Sequence, residues 1–373
     1  MKITNIEILQ SKTQRKFAEP YYPGWQRPNG GPSHTYGAAL VKINTDEGIS
    51  GYGPCRGNLD QYRFVIDRLM ETDPLHIERF WRDCMIGREI MFERAPYGGI
   101  DIALWDIAGK AAGLPVCKML GAAETRVPVY AATSRLLSAE EHIEQVQELQ
   151  SLGFKAVKLR LHRQDYRDDL AVVQAVRSAC PDVSLLVDAN QNHHSAGYNY
   201  WDRPTVETVA RELSALGVVV LEDPCVPTDL ECLKRISRDN KILVAGGECT
   251  PNIYWLREHM LQGAYDVIVP DLIINDIGIT GFRKLGVVSE YLGKQIMPHI
   301  CALGPFALNF AAALQVASGL SNCPWVEFPY DPPFLTEETQ QFYIREKFRV
   351  ESDGRVAVPQ SPGLGVEVME DAL

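Results

Sequence analysis

No run of 18 apolar residues occurs anywhere in this 373-residue chain, so the sequence offers no candidate membrane-spanning helix. The opening stretch MKITNIEILQSKTQRKF lacks the apolar centre of a signal peptide, and an unexported, cytoplasmic protein is the expectation. Positive charge is in deficit: 37 Lys and Arg stand against 48 Asp and Glu, a net charge of −11. That balance disfavours any general attraction to nucleic acid or anionic lipid, so a cation-lined site must be a local feature. The nine cysteines are odd in number and scattered, with no C-x-x-C pair, which argues against a disulfide framework or a cysteine-ligated zinc. There is no repeat at the level of residue identity.

What is present is patterned. KITNIEIL and GAALVKINT alternate as strands do, and DEGISGYG turns into a further short strand. Between the first two lies EPYYPGWQRPNGGPSHT, dense in Pro, Gly and aromatics, which reads as an irregular segment and a candidate lid. Residues 60 to 120 read as helices, closing with GIDIALWDIAGKAAGLPVCKMLG, where Gly113 and Pro115 stop a long apolar helix. From Val127 a unit recurs: short apolar strand, polar turn, amphipathic helix. Eight strands fit it, VPVYAATS, AVKLRLH, SLLVDAN, VVVLEDP, ILVAGGE, DVIVPD, QIMPHI and WVEFP. Continuous strand hydrophobicity implies a parallel sheet covered on both faces, and eight units imply closure into an α/β barrel.

Each of these strands, from AVKLRLH onward, carries polar residues at its C-terminal end: Lys158 and Arg160, Asp188 and Asn190, Glu222, Glu248, Asp271, His299 and Glu327. In a parallel barrel those ends converge on one mouth, where such folds place their sites. An isolated acid after a strand is most often a cap or a salt bridge, but Asp188, Glu222 and Glu248 in successive units would need three coincidences. Three converging carboxylates repel one another, and a hard divalent cation resolves the repulsion; oxygen-only ligation favours Mg²⁺ over zinc. Asp271 and His299 end neighbouring strands, so a carboxylate can fix the imidazole tautomer and make a proton carrier. Lys158 and Arg160 share a strand face and can hold an anionic substrate group, with Arg160 suited to a carboxylate. Their mutual repulsion is expected to favour a neutral Lys158 amine, which keeps it open as a base. His162 falls on the same face or just beyond it, and Cys301 reads as a small buried residue.

Together, TDEGISGYGP, GIDIALWDIAGKAAGLPVCKMLG, GFKAVKLRL, DANQ, LEDP, GGE, PDLIINDIGIT, PHI and WVEFP resemble, in order and spacing, the enolase superfamily and its mandelate racemase subgroup. The resemblance implies a modified TIM barrel, (β/α)₇β, with an α+β N-terminal capping domain completed by the C-terminal tail. The expected division is 1–122, 123–330 and 331–373. It also implies Mg²⁺ on Asp188, Glu222 and Glu248, His299 with Asp271 as general acid/base, and Glu327 hydrogen-bonding the substrate carboxylate. Lys158 and Arg160 then occupy the positions of the family's Lys-x-Lys motif. Proton abstraction next to a carboxylate follows, with Mg²⁺, Lys158 and a protonated Glu327 stabilising the enolate.

The departure from the motif decides the expected outcome. Arg160 stands where racemases of the subgroup carry a second lysine base, and arginine is a poor base. One-base β-elimination is therefore the expectation: loss of water from an aldonate or aldarate to give a 2-keto-3-deoxy acid. A racemase or epimerase using Lys158 or His162 as second base is the competing reading, and a catalytically silent metal-binding scaffold is a third. Specificity is assigned to the loop around Tyr21, Tyr22, Trp25 and Arg27, to Asn190 and His162, and to the insertion after the third barrel strand with His193, His194, Tyr198, Tyr200 and Trp201. The partner is thus a small carboxylate, with no nucleic acid and no membrane, and the subgroup suggests a homo-oligomer.

Overall fold

The computed structural model describes residues 1–26, 31–57, 59–91, 96–122, 124–192, 200–250 and 253–373. Arg27, His193, His194 and Tyr198 lie outside the described residues. Strands β1 (Ile3–Gln10), β4 (Ala39–Thr45) and β5 (Ser50–Pro54) form an antiparallel sheet, and β2 (Arg15–Tyr21) pairs with β3 (Ser33–Tyr36) as a separate ribbon. The aromatic Pro/Gly segment expected to be irregular thus contributes strand at both ends. Pro20 is tolerated because the ribbon is two edge strands whose register shifts between Lys16 and Tyr21.

Helix Gly98–Ala112 lies on β5 almost backbone to backbone. A Cβ at Gly53 would stand 1.9 Å from the Gly99 carbonyl oxygen, and one at Gly51 2.2 Å from that of Ala103. Only glycine fits there. The helix ends where the sequence says it should, at Gly113 with φ 67° and its N–H turned back to the carbonyls of Gly109 and Lys110.

The parallel strands β6 (Arg126–Ala132), β7 (Ala156–Arg160), β8 (Ser184–Asp188), β9 (Val220–Glu222), β10 (Leu243–Gly246), β11 (Val267–Ile268), β12 (Gln295–Ile296) and β13 (Val326–Pro329) match the eight expected segments. Seven helices, 139–151, 166–179, 203–215, 230–239, 253–261, 278–291 and 306–317, cover them, with Ser138 and Glu141 forming the capping box of the first. The order runs β12-β11-β10-β9-β8-β7-β6-β13. The seam between β12 and β13 is crossed by the Glu327 N–H to the Pro298 carbonyl at 3.4 Å and by Ile296 N–H to Asn322 at 3.1 Å. The last ladders are short because Pro270 and Pro298 have no N–H to give. Asp271 and His299 therefore sit just past them, joined as an isolated parallel bridge.

The chain end ties the layers together. Strand β14 (Arg355–Ala357) pairs antiparallel with the start of β6, Leu364 N–H donates to Asp106 at 2.9 Å, and Glu370 binds Lys42 at 2.8 Å and the Tyr52 hydroxyl at 2.5 Å. Among the described residues no helix is long and apolar enough to cross a membrane.

Candidate active site

Parallel register brings the strand ends level: Arg160 lies beside Asp188, Asp188 beside Glu222, and Glu222 beside Ala245. Lys158 is fully buried under the mouth, with its ammonium 3.0 Å from Glu222, 2.9 Å from Glu327 and 3.8 Å from Asp188. Arg160 contacts Asp188 through Nη1, donates from Nε to the Thr133 carbonyl at 3.0 Å, and lies 4.9 Å from the ring centre of Trp25. His299 Nδ1 meets Asp271 Oδ2 at 2.8 Å, while Nε2 meets Glu248 Oε2 at 2.7 Å. Asp271 is itself fixed by the backbone N–H groups of Ile273 (2.7 Å), Ile274 (3.0 Å) and Cys301 (3.0 Å).

Above this floor is a cavity of about 160 Å³, lined by Trp25, Arg160, Asn190, Glu248, His299 and Glu327 and walled by apolar groups such as Ile274, Ile300 and Leu335. Asn190 is held by its own N–H, which donates to Asp188 Oδ1 at 2.8 Å. Tyr21 and His162 do not line the cavity. Tyr21 is spent in packing, stacked on Phe334 at 4.9 Å and beside Phe17 at 5.7 Å, and His162 is buried just past β7.

The carboxylates that converge within 4.8 Å of one another are those of Asp188, Glu222 and Asp223. Glu248, expected in that set, is turned to His299 instead. Strand alternation would send Asp223, the residue after Glu222, to the opposite face. Its φ of 45° breaks the strand at that point and swings the side chain back to the mouth, where Asn192 donates to it. No periodicity in the sequence signals such a backbone.

Charge explains the protonation pattern. Six buried carboxylates (Asp188, Glu222, Asp223, Glu248, Asp271, Glu327) outnumber the three cationic groups Lys158, Arg160 and His299. Burial, with Asp188, Glu327 and Glu248 nearby, raises Glu222 to about 8 despite Lys158, and burial also pushes Asp223 well up. Burial works against the charged form of Lys158, yet Glu222 and Glu327 outweigh it and hold the amine well above its usual range. Their pull opposes the expected repulsion by Arg160 and favours the ammonium form of Lys158. The same opposition governs His299: burial disfavours the cation, but Glu248, Glu327 and the hydrogen bond to Asp271 raise it well above the usual imidazole value. For Glu327 burial is outweighed by Lys158, His299 and Arg160, which keep it below the ordinary carboxylate range. Lys158 and the Ile300 N–H (3.1 Å) are both donors to it, which favours the carboxylate form.

The excess of buried negative charge fits a hard cation, and Glu222 Oε1 is buried with no hydrogen-bond partner among the described residues. Oxygen donors alone make up the cluster.

Residues 141–372 match the family described as "Enolase C-terminal domain-like", and residues 30–121 match "Mandelate racemase / muconate lactonizing enzyme, N-terminal domain". D-galactarolactone cycloisomerase of Agrobacterium fabrum is 30% identical over 355 residues, 90% of this chain and 89% of that protein. Arabinonate dehydratase of Saccharolobus solfataricus is 27% identical over 354 residues, 90% of each. Among solved structures, L-talarate dehydratase from Polaromonas sp. JS666, complexed with Mg and L-glucarate, has a TM-score of 0.81 at 25% identity, covering 98% of this chain and 95% of that one.

Proposed function

Because the chain belongs to the mandelate racemase/muconate lactonizing enzyme family of the enolase superfamily, we propose that it is a Mg²⁺-dependent lyase that removes water from a sugar acid to give a 2-keto-3-deoxy acid. The observation that carries this reading is the imidazole at the mouth. His299 has its Nδ1–H taken by Asp271, whereas the other two basic groups are a guanidinium tied to Asp188 and an ammonium clamped between Glu222 and Glu327. Of the basic side chains that line the cavity among the described residues, Arg160 and His299, only the imidazole takes up a proton readily, which favours a one-base elimination over a two-base inversion. The named dehydratase relatives support the same outcome.

Arg160 and Lys158 present positive charge to the substrate carboxylate. When Glu248 turns away it takes the Nε2 proton with it, and the neutral His299 Nε2 then accepts the α-proton as the α-carbon forms a double bond to the carboxyl carbon. The imidazolium then returns that proton to the β-hydroxyl, which leaves as water, and the resulting enol tautomerises to the 2-keto acid. A bound Mg²⁺ would supply positive charge for the two oxygens of the enolate, held by Asp188 and Glu222. Glu248 is the third ligand that the family resemblance implies, and Asp223 is the third carboxylate of the cluster. Mg²⁺ titration of Glu248→Gln and Asp223→Asn decides between them: the ligand's loss weakens binding on the order of 10- to 100-fold or more.

The test is a screen of aldonates, aldarates and their lactones with Mg²⁺, read by 2-keto acid formation and by NMR in D₂O. Keto-acid product with solvent deuterium at the former β-carbon, abolished together with α-exchange in His299→Asn, is the expected result. Exchange with inversion and no keto acid, or dehydration persisting in His299→Asn, overturns it. Conversion confined to lactones would instead align the chain with the D-galactarolactone cycloisomerase relative.

A further inference from the structure

We propose that Asp331 is a positioning residue of this site: it fastens the turn 133–135 that seats Trp25 against Arg160. Asp331 follows β13 and is fully buried. Its Oδ2 accepts the Ser134 N–H at 2.9 Å, the Ser134 hydroxyl and the Arg135 N–H at 3.1 Å. Its Oδ1 accepts Arg135 Nε at 3.0 Å, Arg135 Nη2 at 2.6 Å and Gln145 Nε2 at 2.7 Å. Six donors converge on one carboxylate, and none of them belongs to the acid/base or metal set.

The other side of the same turn faces the cavity. The Ser134 carbonyl accepts the Gly24 N–H at 2.6 Å, and the next residue, Trp25, lies over Arg160. The Thr133 carbonyl accepts Arg160 Nε. Thr133 and Ser134 therefore hold the two halves of the Trp25–Arg160 stack, and Asp331 anchors the turn they belong to through Ser134 and Arg135. Asparagine at 331 retains one acceptor oxygen and must aim its amide at either the Ser134 donors or the Arg135 and Gln145 donors. Gly24 is the other end of the link: a Cβ there would lie 3.0 Å from Leu136 Cγ and 3.2 Å from the Ser134 oxygen, tight enough to push the turn off its seat.

The test reads the seat directly, by chymotrypsin cleavage of the full chain after Trp25, with fragments identified by mass. Asp331→Asn and Gly24→Ala should each raise cleavage at that bond about tenfold, the factor matching one lost charge-assisted hydrogen bond, with cleavage at other bonds unchanged. Ser134→Ala removes only the hydroxyl and carries the test, with a smaller increase in the same bond, where Asp331→Asn does not fold. Parent-like cleavage in all three overturns the proposal. The kinetic arm rests on the sugar-acid reading: with a substrate from the screen, KM should rise about tenfold in Asp331→Asn while kcat stays within about threefold, and Asp331→Asn/Trp25→Ala should be no worse than Trp25→Ala alone. Effects that multiply in the double variant overturn it. A screen that yields no substrate sinks the sugar-acid reading while leaving the cleavage test of Asp331 intact.

Discussion

Replacing Asp271 by asparagine changes little volume and should invert the tautomer of His299. In the native site Oδ1 accepts the N–H groups of Ile273 and Ile274, and Oδ2 accepts that of Cys301 while facing His299 Nδ1 at 2.8 Å. Asparagine has one acceptor oxygen. Turning its amide toward Ile273 and Ile274 strands two buried donors; turning it toward His299 strands only the Cys301 N–H, at about 1–3 kcal/mol for each donor left unpaired. The second orientation wins by roughly one such donor. The amide then donates to Nδ1, so the neutral ring that serves as base carries its proton on Nε2, the nitrogen that must be free to accept the substrate's α-proton. An inverted tautomer in a catalytic dyad costs on the order of 10³- to 10⁴-fold in kcat, about 4–5.5 kcal/mol of barrier. Steady-state turnover and α-hydrogen exchange in D₂O measure the loss, and ¹⁵N NMR of the imidazole reads the tautomer independently. Turnover within tenfold of the parent, or a spectrum that retains Nδ1–H, would refute the reasoning.

Three further outcomes are expected. Arg160→Lys keeps the charge but gives up the Nε bond to Thr133 and the stack on Trp25, each worth about 1 kcal/mol, so kcat/KM should fall about 10- to 100-fold in the same substrate assay. A chelator should abolish turnover and Mg²⁺ restore it, and thermal melts with Mg²⁺ at 100 times its Kd should show about 2.7 kcal/mol of added stability. His142 tests the pH dependence of folding: burial first, then Arg163, lowers its imidazole to about 4 from 6.5. Between those values the unfolded chain binds the proton and the native one does not, so this contribution, at most about 3 kcal/mol, is complete above pH 6.5 and lost as pH falls toward 4. Buried Asp101, raised to about 7, and Asp169, raised to about 6, act in the opposite sense across that window. The informative quantity is therefore the difference between parent and His142→Gln in urea melts at pH 7 and pH 4.5, which should shrink at the lower pH.

The barrel was legible because its signal is local and repeated. Each unit carries its own apolar strand and amphipathic helix, as in Val206, Val209 and Leu213 facing inward before Gly217 turns the chain. The site residues at the strand ends were legible for a related reason: a buried strand has no use for a charge except where it opens. Lys158, Arg160 and His299 declare themselves that way. Asp223 does not, since its direction depends on one positive φ angle. Asp331 does not either, since Ser134, Arg135 and Gln145 are 186 to 197 residues away along the chain. Tyr21 looked like a loop aromatic because its partner, Phe334, lies in the tail.

The amino-acid order by itself determined the element types, the parallel closure and which titratable groups would meet at one mouth, because hydrophobic period and strand-end polarity are properties of neighbouring residues. Only the tertiary structure decided how those groups share their charge. Whether Lys158 is an amine or an ammonium, whether Glu327 holds a proton, and whether Glu248 faces a metal cluster or an imidazole depend on distances of about 3 Å between strands, where burial and the pull of neighbouring charges act in opposite directions.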